Sequence, residues 1–260
     1  MSQYASLKAI ENKTGLEPIM VREYIEQGFG YFLNEPFVSQ TKILSIEDLK
    51  HLEFKVISVK NTNIFNLNPA DNYVVNDDMG LYTFFDFMKD DIVKMYSFNN
   101  EILSFSKEYI KQNKSDDEVL VSISFRRGDY LTQSSLNLSL DYYYDAISTL
   151  KERLPNVKFK YVIFSGAAYG DDGMSWVKNN FKINNAIYAE NLDKYKQMCI
   201  MSLCDHNIIA NSSFPWWGAY LNKNKNKIVI CPFNYVNDVR FNDEINGKYF
   251  PIDWISIKTV

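Results

Sequence analysis

The stretch VLVSISFRRGDY, residues 119–130, runs an apolar segment straight into two arginines, a glycine, an aspartate and a tyrosine. Val119 to Ile123 with Phe125 has the composition of a strand covered on both faces. Open α/β sheets keep their ligand crevice outside the carboxyl ends of the strands. The spacing therefore places Arg126, Arg127 and Asp129 at the mouth of such a crevice. A guanidinium offers a planar fork that can hold two phosphate oxygens at once, which an ammonium cannot, so the arginine pair points to an anion. The same residues also read as a solvated Arg–Asp pair contributing less than about 1 kcal/mol, and the stretch alone does not separate the two.

Outward from this strand the second half of the chain is regular. Strands are predicted at 119–125, 158–164, 186–189, 206–210 and 227–231, with helices at 140–153, 173–181, 193–204 and 213–222 between them. Repeated β–α alternation implies a parallel sheet with helices on both faces. KYVIF, HNIIA and KIVI are continuously apolar apart from their ends, as doubly covered strands require. The fold class is α/β, and the second half is a Rossmann-like candidate for nucleotide binding. The first half is less regular. A helix is predicted from the first residues, another after Ser45 with Asp48 as its capping partner, a short strand in EFKVISV (53–59), and a helix over 101–114. The expected domains are 1–115 and 116–260.

Composition limits the partners. The chain has 260 residues, 46% of them hydrophobic, a net charge of −4 and a pI near 5.3. This charge argues against broad binding to nucleic acid, so an anion site must be local. No apolar run reaches the roughly 18 residues of a membrane span. Cys199, Cys204 and Cys231 have no metal-like spacing, and only His51 and His206 accompany them, so neither a zinc site nor a Cys–His nucleophile is expected. Reduced thiols and the lack of an anchor segment give a cytoplasmic expectation, with a Golgi or membrane-associated alternative if an anchor lies upstream.

A second constellation is CDHNIIANSSFPWWGAYL, residues 204–221: a strand, a small polar turn and a helix in succession. Ser212 and Ser213 fall at the expected N-cap, where hydroxyls and first-turn amides face an anion at the positive end of the helix dipole. Pro215 suits the first turn because its missing N–H has no intrahelical role there. As an ordinary cap the same turn would stabilise the helix by about 1 kcal/mol, and Trp216 and Trp217 read equally as core.

Together with MSQYASLKAI, LYTFFDFMKDDI, DYYYDAI and the closing YFPIDWISI, these residues resemble glycosyltransferase family 11, the α-1,2-fucosyltransferases, and more distantly the α-1,6- and protein O-fucosyltransferases. The resemblance covers nearly the whole chain. It implies a GT-B fold of two Rossmann-like domains, and an inverting, metal-independent transferase moving L-fucose from GDP-fucose to a hydroxyl of a galactose-terminated glycan. No cofactor is expected, and the Asp pairs at 77–78, 90–91, 116–117 and 171–172 form no D-x-D motif. Residue by residue, the resemblance makes Arg126 the group on the donor β-phosphate and Asp129 a brace for the arginines. It places Arg127 in the same motif, gives Asp205 the guanine edge and Ser212 and Ser213 the pyrophosphate. Phe214 and Trp217 would shape the pocket behind them.

Three departures accompany the resemblance. Ser124 stands where the family has a histidine two positions before the first arginine. The chain begins directly after the family's first strand and Gly-rich turn, so the N-terminal domain is expected to lack its first strand. FSGAAYGDDGMSW replaces the family's FSDD, an insertion expected to move Asp171 and Asp172 away from the nucleotide. A catalytically inactive homologue that still binds a GDP-sugar or a glycan is the alternative these departures leave open.

Overall fold

The computed structural model describes residues 1–26, 36–37, 42–58, 62–75, 81–132, 136–166, 173–235 and 249–258. The chain divides into two compact units, Met1–Asn99 and Asn100–Val260.

In the first unit, helix α1 (Ser2–Thr14) buries Tyr4, Ala5, Ala9 and Ile10 and ends at Gly15, whose left-handed φ of 77° lets its N–H return to the Glu11 carbonyl. The described strands and short helices are β1 (Met20–Val21), α2 (Arg22–Glu26), β2 (Ile43–Leu44), α3 (Ile46–Leu49), β3 (Lys55–Ile57) and β4 (Tyr73–Val75). The capping box expected at Ser45 is present: the hydroxyl accepts from Asp48 N–H and the Asp48 carboxylate accepts from Ser45 N–H. It starts only a single turn, shorter than the sequence suggests, because α3 buries none of its residues. Among the described residues, two separate parallel pairs, β1–β2 and β3–β4, stand where a continuous Rossmann-like sheet is expected. The aromatic run folds into two 3-10 turns, Tyr82–Phe84 and Asp86–Met88, leading into α4 (Lys89–Met95); Phe85 and Ile92 between them are fully buried.

The second unit opens with α5 (Asn100–Asn113), which the sequence assigned to the N-terminal half. Its Tyr109 and Ile110 pack on a core of Leu120, Val162, Phe164, Ile200 and Met201, so its apolar face belongs here. There follow β5 (Glu118–Arg126), a 3-10 turn (Gly128–Thr132), α6 (Leu140–Arg153), β6 (Lys158–Gly166), α7 (Gly173–Asn180), β7 (Ala186–Tyr188), α8 (Lys194–Leu203), β8 (His206–Ile208), α9 (Ser213–Tyr220), β9 (Val229–Pro232) and β10 (Ile255–Ile257). The predicted alternation is borne out, with β10 as an added strand.

All six strands are parallel, in the order β7-β6-β5-β8-β9-β10. Numbered within the unit this is 3-2-1-4-5-6, the doubly wound order whose direction reverses between the first and fourth strands, here β5 and β8. The alternation of β5 sorts its side chains between two cores. Val121, Ile123 and Phe125 pack against α6 and α7, whereas Leu120 joins the layer of α5 and α8. Helix α9 sits close on α8 because position 218 is glycine: a Cβ there would lie 2.7 Å from Met201 Cβ.

Candidate functional site

The reversal between β5 and β8 opens a cleft. β5 stays paired with β6 as far as Arg126↔Gly166, but its ladder with β8 stops at Ile123↔Ile208. Beyond that register the two strands part. Two neighbouring tyrosines of α6 take carbonyls at the fork: Tyr143 Oη donates to Ser124 O at 3.3 Å and Tyr142 Oη to Ile209 O at 2.6 Å. Both phenols are buried and their pKa values rise well above the ordinary tyrosine range through desolvation.

The cleft is open to solvent, its cavity volume about 40 Å3, and it is lined by Ser124, Arg126, Gly166, Gln197, Ser212 and Phe214, with Phe164 and Met201 beneath them. Arg126 leaves the end of β5 on the face shared with α8, as its even position requires. Gly166 lies beside it: a Cβ there would be at ordinary contact distance, 3.5 Å, from Arg126 Nη1. The chain then reverses at Gly128, φ 68°, a left-handed conformation that favours glycine. Tyr130 comes back beneath Arg126, its ring centroid 5.1 Å from Cζ, and its hydroxyl donates to Asn211 O at 3.0 Å.

On the other side of the cleft Ser212 is the N-cap of α9, and it is buried. Its hydroxyl makes no capping hydrogen bond to the helix, in contrast to Ser45. The first-turn amides of any helix point out of its N-terminus without intrahelical acceptors, and here that end of α9 adjoins the cleft. A guanidinium, a hydroxyl and a helix terminus thus converge on one space from the two central strands. This is a composition suited to an anion carrying several oxygens.

The remaining expected site residues divide. Phe214 lines the cleft, while Ser213 is exposed in the first turn of α9 and is not among the lining residues. Arg127 does not join Arg126. It exits on the opposite face, and its Cζ lies 3.6 Å from the ring centroid of Trp176 in α7. Trp217 is buried in an aromatic core with Trp216 and Tyr220, behind the turn and away from the cleft.

Asp205 is displaced from the site altogether. It precedes β8, at the amino edge of the sheet, where its carboxylate accepts from Leu120 N–H at 2.7 Å and from Lys114 Nζ at 3.2 Å. Ser212 follows the carboxyl end of β8, so the two residues lie at opposite edges of the sheet. The carboxylate fastens β8 to β5 instead of reading a ligand in this cleft.

Asp129 lies in the Gly128–Thr132 turn, but its side chain is outside the described residues, as are Asp171 and Asp172. Gln197, Met201, Phe164 and Gly166 were not singled out in the sequence. Of these only Gly166 carried a signal, a glycine closing the apolar run YVIFS. Among the described residues no group of three His, Cys, Asp or Glu side chains could hold a metal ion, and no helix is long and apolar enough to cross a membrane.

The model of Glycosyl transferase family 11 matches residues 33–258. The chain belongs to glycosyl transferase family 11. Proteins with similar sequences include the O-antigen biosynthesis glycosyltransferase WbnK of Escherichia coli, 31% identical over 161 residues, which are 58% of this chain and 51% of that protein. An alpha-1,2-colitosyltransferase of Escherichia coli is 36% identical over 152 residues, 53% of this chain and 47% of that one. The chain spans about half the length of these curated relatives. Among solved structures, the fucosyltransferase NodZ from Bradyrhizobium aligns with a TM-score of 0.48 at 11% identity, over 82% of this chain and 86% of that one. POFUT1 in complex with GDP aligns at 0.41 and 12%, over 74% and 79%.

Proposed function

We propose that the cleft between β5 and β8 holds the diphosphate of a GDP-sugar, and that this family 11 member transfers L-fucose from GDP-fucose to a galactoside hydroxyl, forming an α-1,2 linkage with inversion. The observation carrying the reading is that Arg126 and Ser212, from strands adjacent at the sheet's reversal, line one cleft. In the transfer the acceptor oxygen attacks the anomeric carbon, gives its proton to a base, and displaces GDP with the bonding electron pair. Negative charge grows on the β-phosphate as that bond breaks. A preorganised guanidinium and a helix terminus stabilise this charge with little reorganisation, so charge stabilisation rests on Arg126 and α9, with no metal ion in the proposed step. The proposed setting is the cytoplasm.

The experiment is a transfer assay on galactoside acceptors with coupled detection of GDP release. GDP-colitose is run beside GDP-fucose, because one relative is named for colitose transfer. Turnover that falls at least about 100-fold in Arg126→Ala supports the reading. Equal rates in the two proteins overturn it.

A second reading is a homologue that binds a GDP-sugar without turning it over. It is favoured by one observation: Ser124, where the family motif has histidine, is buried and lines the cleft. Donor binding without transfer, tightened by Ser124→His, selects this reading.

A further inference from the structure

We propose that Tyr130 is a positioning residue for the donor phosphate: it holds Arg126 in the cleft by tying the RRGDY turn to the serine turn ahead of α9. This rests on the reading of the cleft as a nucleotide-diphosphate site. Tyr130 joins the two halves of the cleft by a hydrogen bond across 81 positions of sequence, Oη to Asn211 O at 3.0 Å. Asn211 is itself anchored. It is 1% exposed, and its amide donates to Leu136 O at 3.0 Å and to Tyr235 O at 2.8 Å. The acceptor for the tyrosine is therefore fixed from two further segments of the unit.

The ring performs the second task. A cation within about 6 Å of an aromatic centroid is attracted by the ring's quadrupole, and Arg126 Cζ lies at 5.1 Å. A carboxylate at this place would orient the arginine more strongly but would also neutralise it. A neutral phenol orients the guanidinium and leaves its positive charge for the ligand. Arg126 thus binds phosphate with less side-chain entropy to lose, which raises affinity without a new ligand contact.

The test measures GDP and guanosine binding to the full chain, by calorimetry and ligand-observed NMR, for the wild type, Arg126→Ala, Tyr130→Phe, Tyr130→Leu and the Arg126→Ala/Tyr130→Leu double variant. The positioning role requires Tyr130→Leu to weaken GDP binding about tenfold while leaving guanosine, which has no phosphate, unchanged. Tyr130→Phe, which keeps the ring and loses the latch, falls between, and serves if the leucine variant folds poorly. In the double variant the tyrosine change adds nothing to the loss already caused by Arg126→Ala. Equal losses for GDP and guanosine, full additivity, or wild-type GDP affinity in both tyrosine variants beside a weakened Arg126→Ala would each overturn the role while sparing the nucleotide reading. A wild type that binds no GDP, or an Arg126→Ala that binds it undiminished, removes that reading and the role with it.

Discussion

Arg126 and Arg127 are adjacent in the chain and work on opposite faces of the sheet. Arg126 enters the cleft between β5 and β8, and Arg127 lies flat on Trp176 of α7. What reads as a double clamp in sequence is one guanidinium that lines the cleft and one that lies on a helix.

Their substitutions accordingly have different effects. Arg126→Ala weakens GDP binding by about tenfold or more, the scale of one charge-assisted contact, and leaves the melting curve nearly in place. Arg127→Ala lowers stability by about 0.5–2 kcal/mol through loss of the stacked cation, with GDP affinity changed less than about threefold. Calorimetry and urea denaturation on the same samples check both.

Tyr142→Phe leaves the buried Ile209 carbonyl without the donor at 2.6 Å and lowers stability by about 1–3 kcal/mol. Tyr143→Phe, whose bond to Ser124 O is longer at 3.3 Å, has the smaller effect of the two. Denaturant midpoints rank them.

Gly218→Ala forces α9 away from α8, since the new methyl meets Met201 Cβ at 2.7 Å and Sδ at 3.0 Å. Overpacking of this kind costs about 1–3 kcal/mol. Met201→Gly placed beside it removes that Cβ and relieves the clash, so the double variant is less destabilised than the sum of the singles.

Glu118 sets an acid limit on stability. The Ser115 N–H first, and then the Asn185 amide, hydrogen-bond its carboxylate and lower its pKa from 4.5 to about 2. A carboxylate whose folded pKa lies below its unfolded value contributes stability that is full above the unfolded pKa and fades as pH falls through the folded one. Stability therefore drops between about pH 4.5 and pH 2, and Glu118→Gln flattens that part of the profile. Urea midpoints at pH 5 and pH 3 read the difference.

All three cysteines are buried, and burial raises their thiol pKa values, that of Cys199 to about 11. The thiolate is the reactive form, so a disulfide reagent at pH 8 labels the native protein slowly and takes up three equivalents only in denaturant.

The second unit was legible because its strands are short, continuously apolar runs set between amphipathic helices, a pattern that leaves little freedom in how they pair. β10 was missed: ISI is three residues long and only partly buried. The first unit was less legible because β1 and β2 have two residues each and no period can be read from two. In the site, Arg126 was readable as a strand-end residue and Ser212 as a helix cap, whereas Phe214 came only from the family resemblance. Arg127 was grouped with them by proximity in sequence, although a period of two sends neighbours to opposite faces. Asp205 was misplaced for a related reason, since a polar residue entering a parallel strand lies at the amino edge and the crevice at the other. Gln197 and Met201 sit on a helix that reaches the cleft only through the order of the strands, which local sequence does not state.

The parting of β5 from β8 beyond Ile123 has a consequence for what can vary. The main chain itself makes the hollow, and the tyrosine pair on α6 props it from behind, so its existence does not depend on the side chains in front. Ser124, Gln197 and Phe214 are then free to be exchanged for other residues while the scaffold keeps its shape. The chemistry of the hollow is changed by altering this lining, as a socket accepts different fittings without being recast.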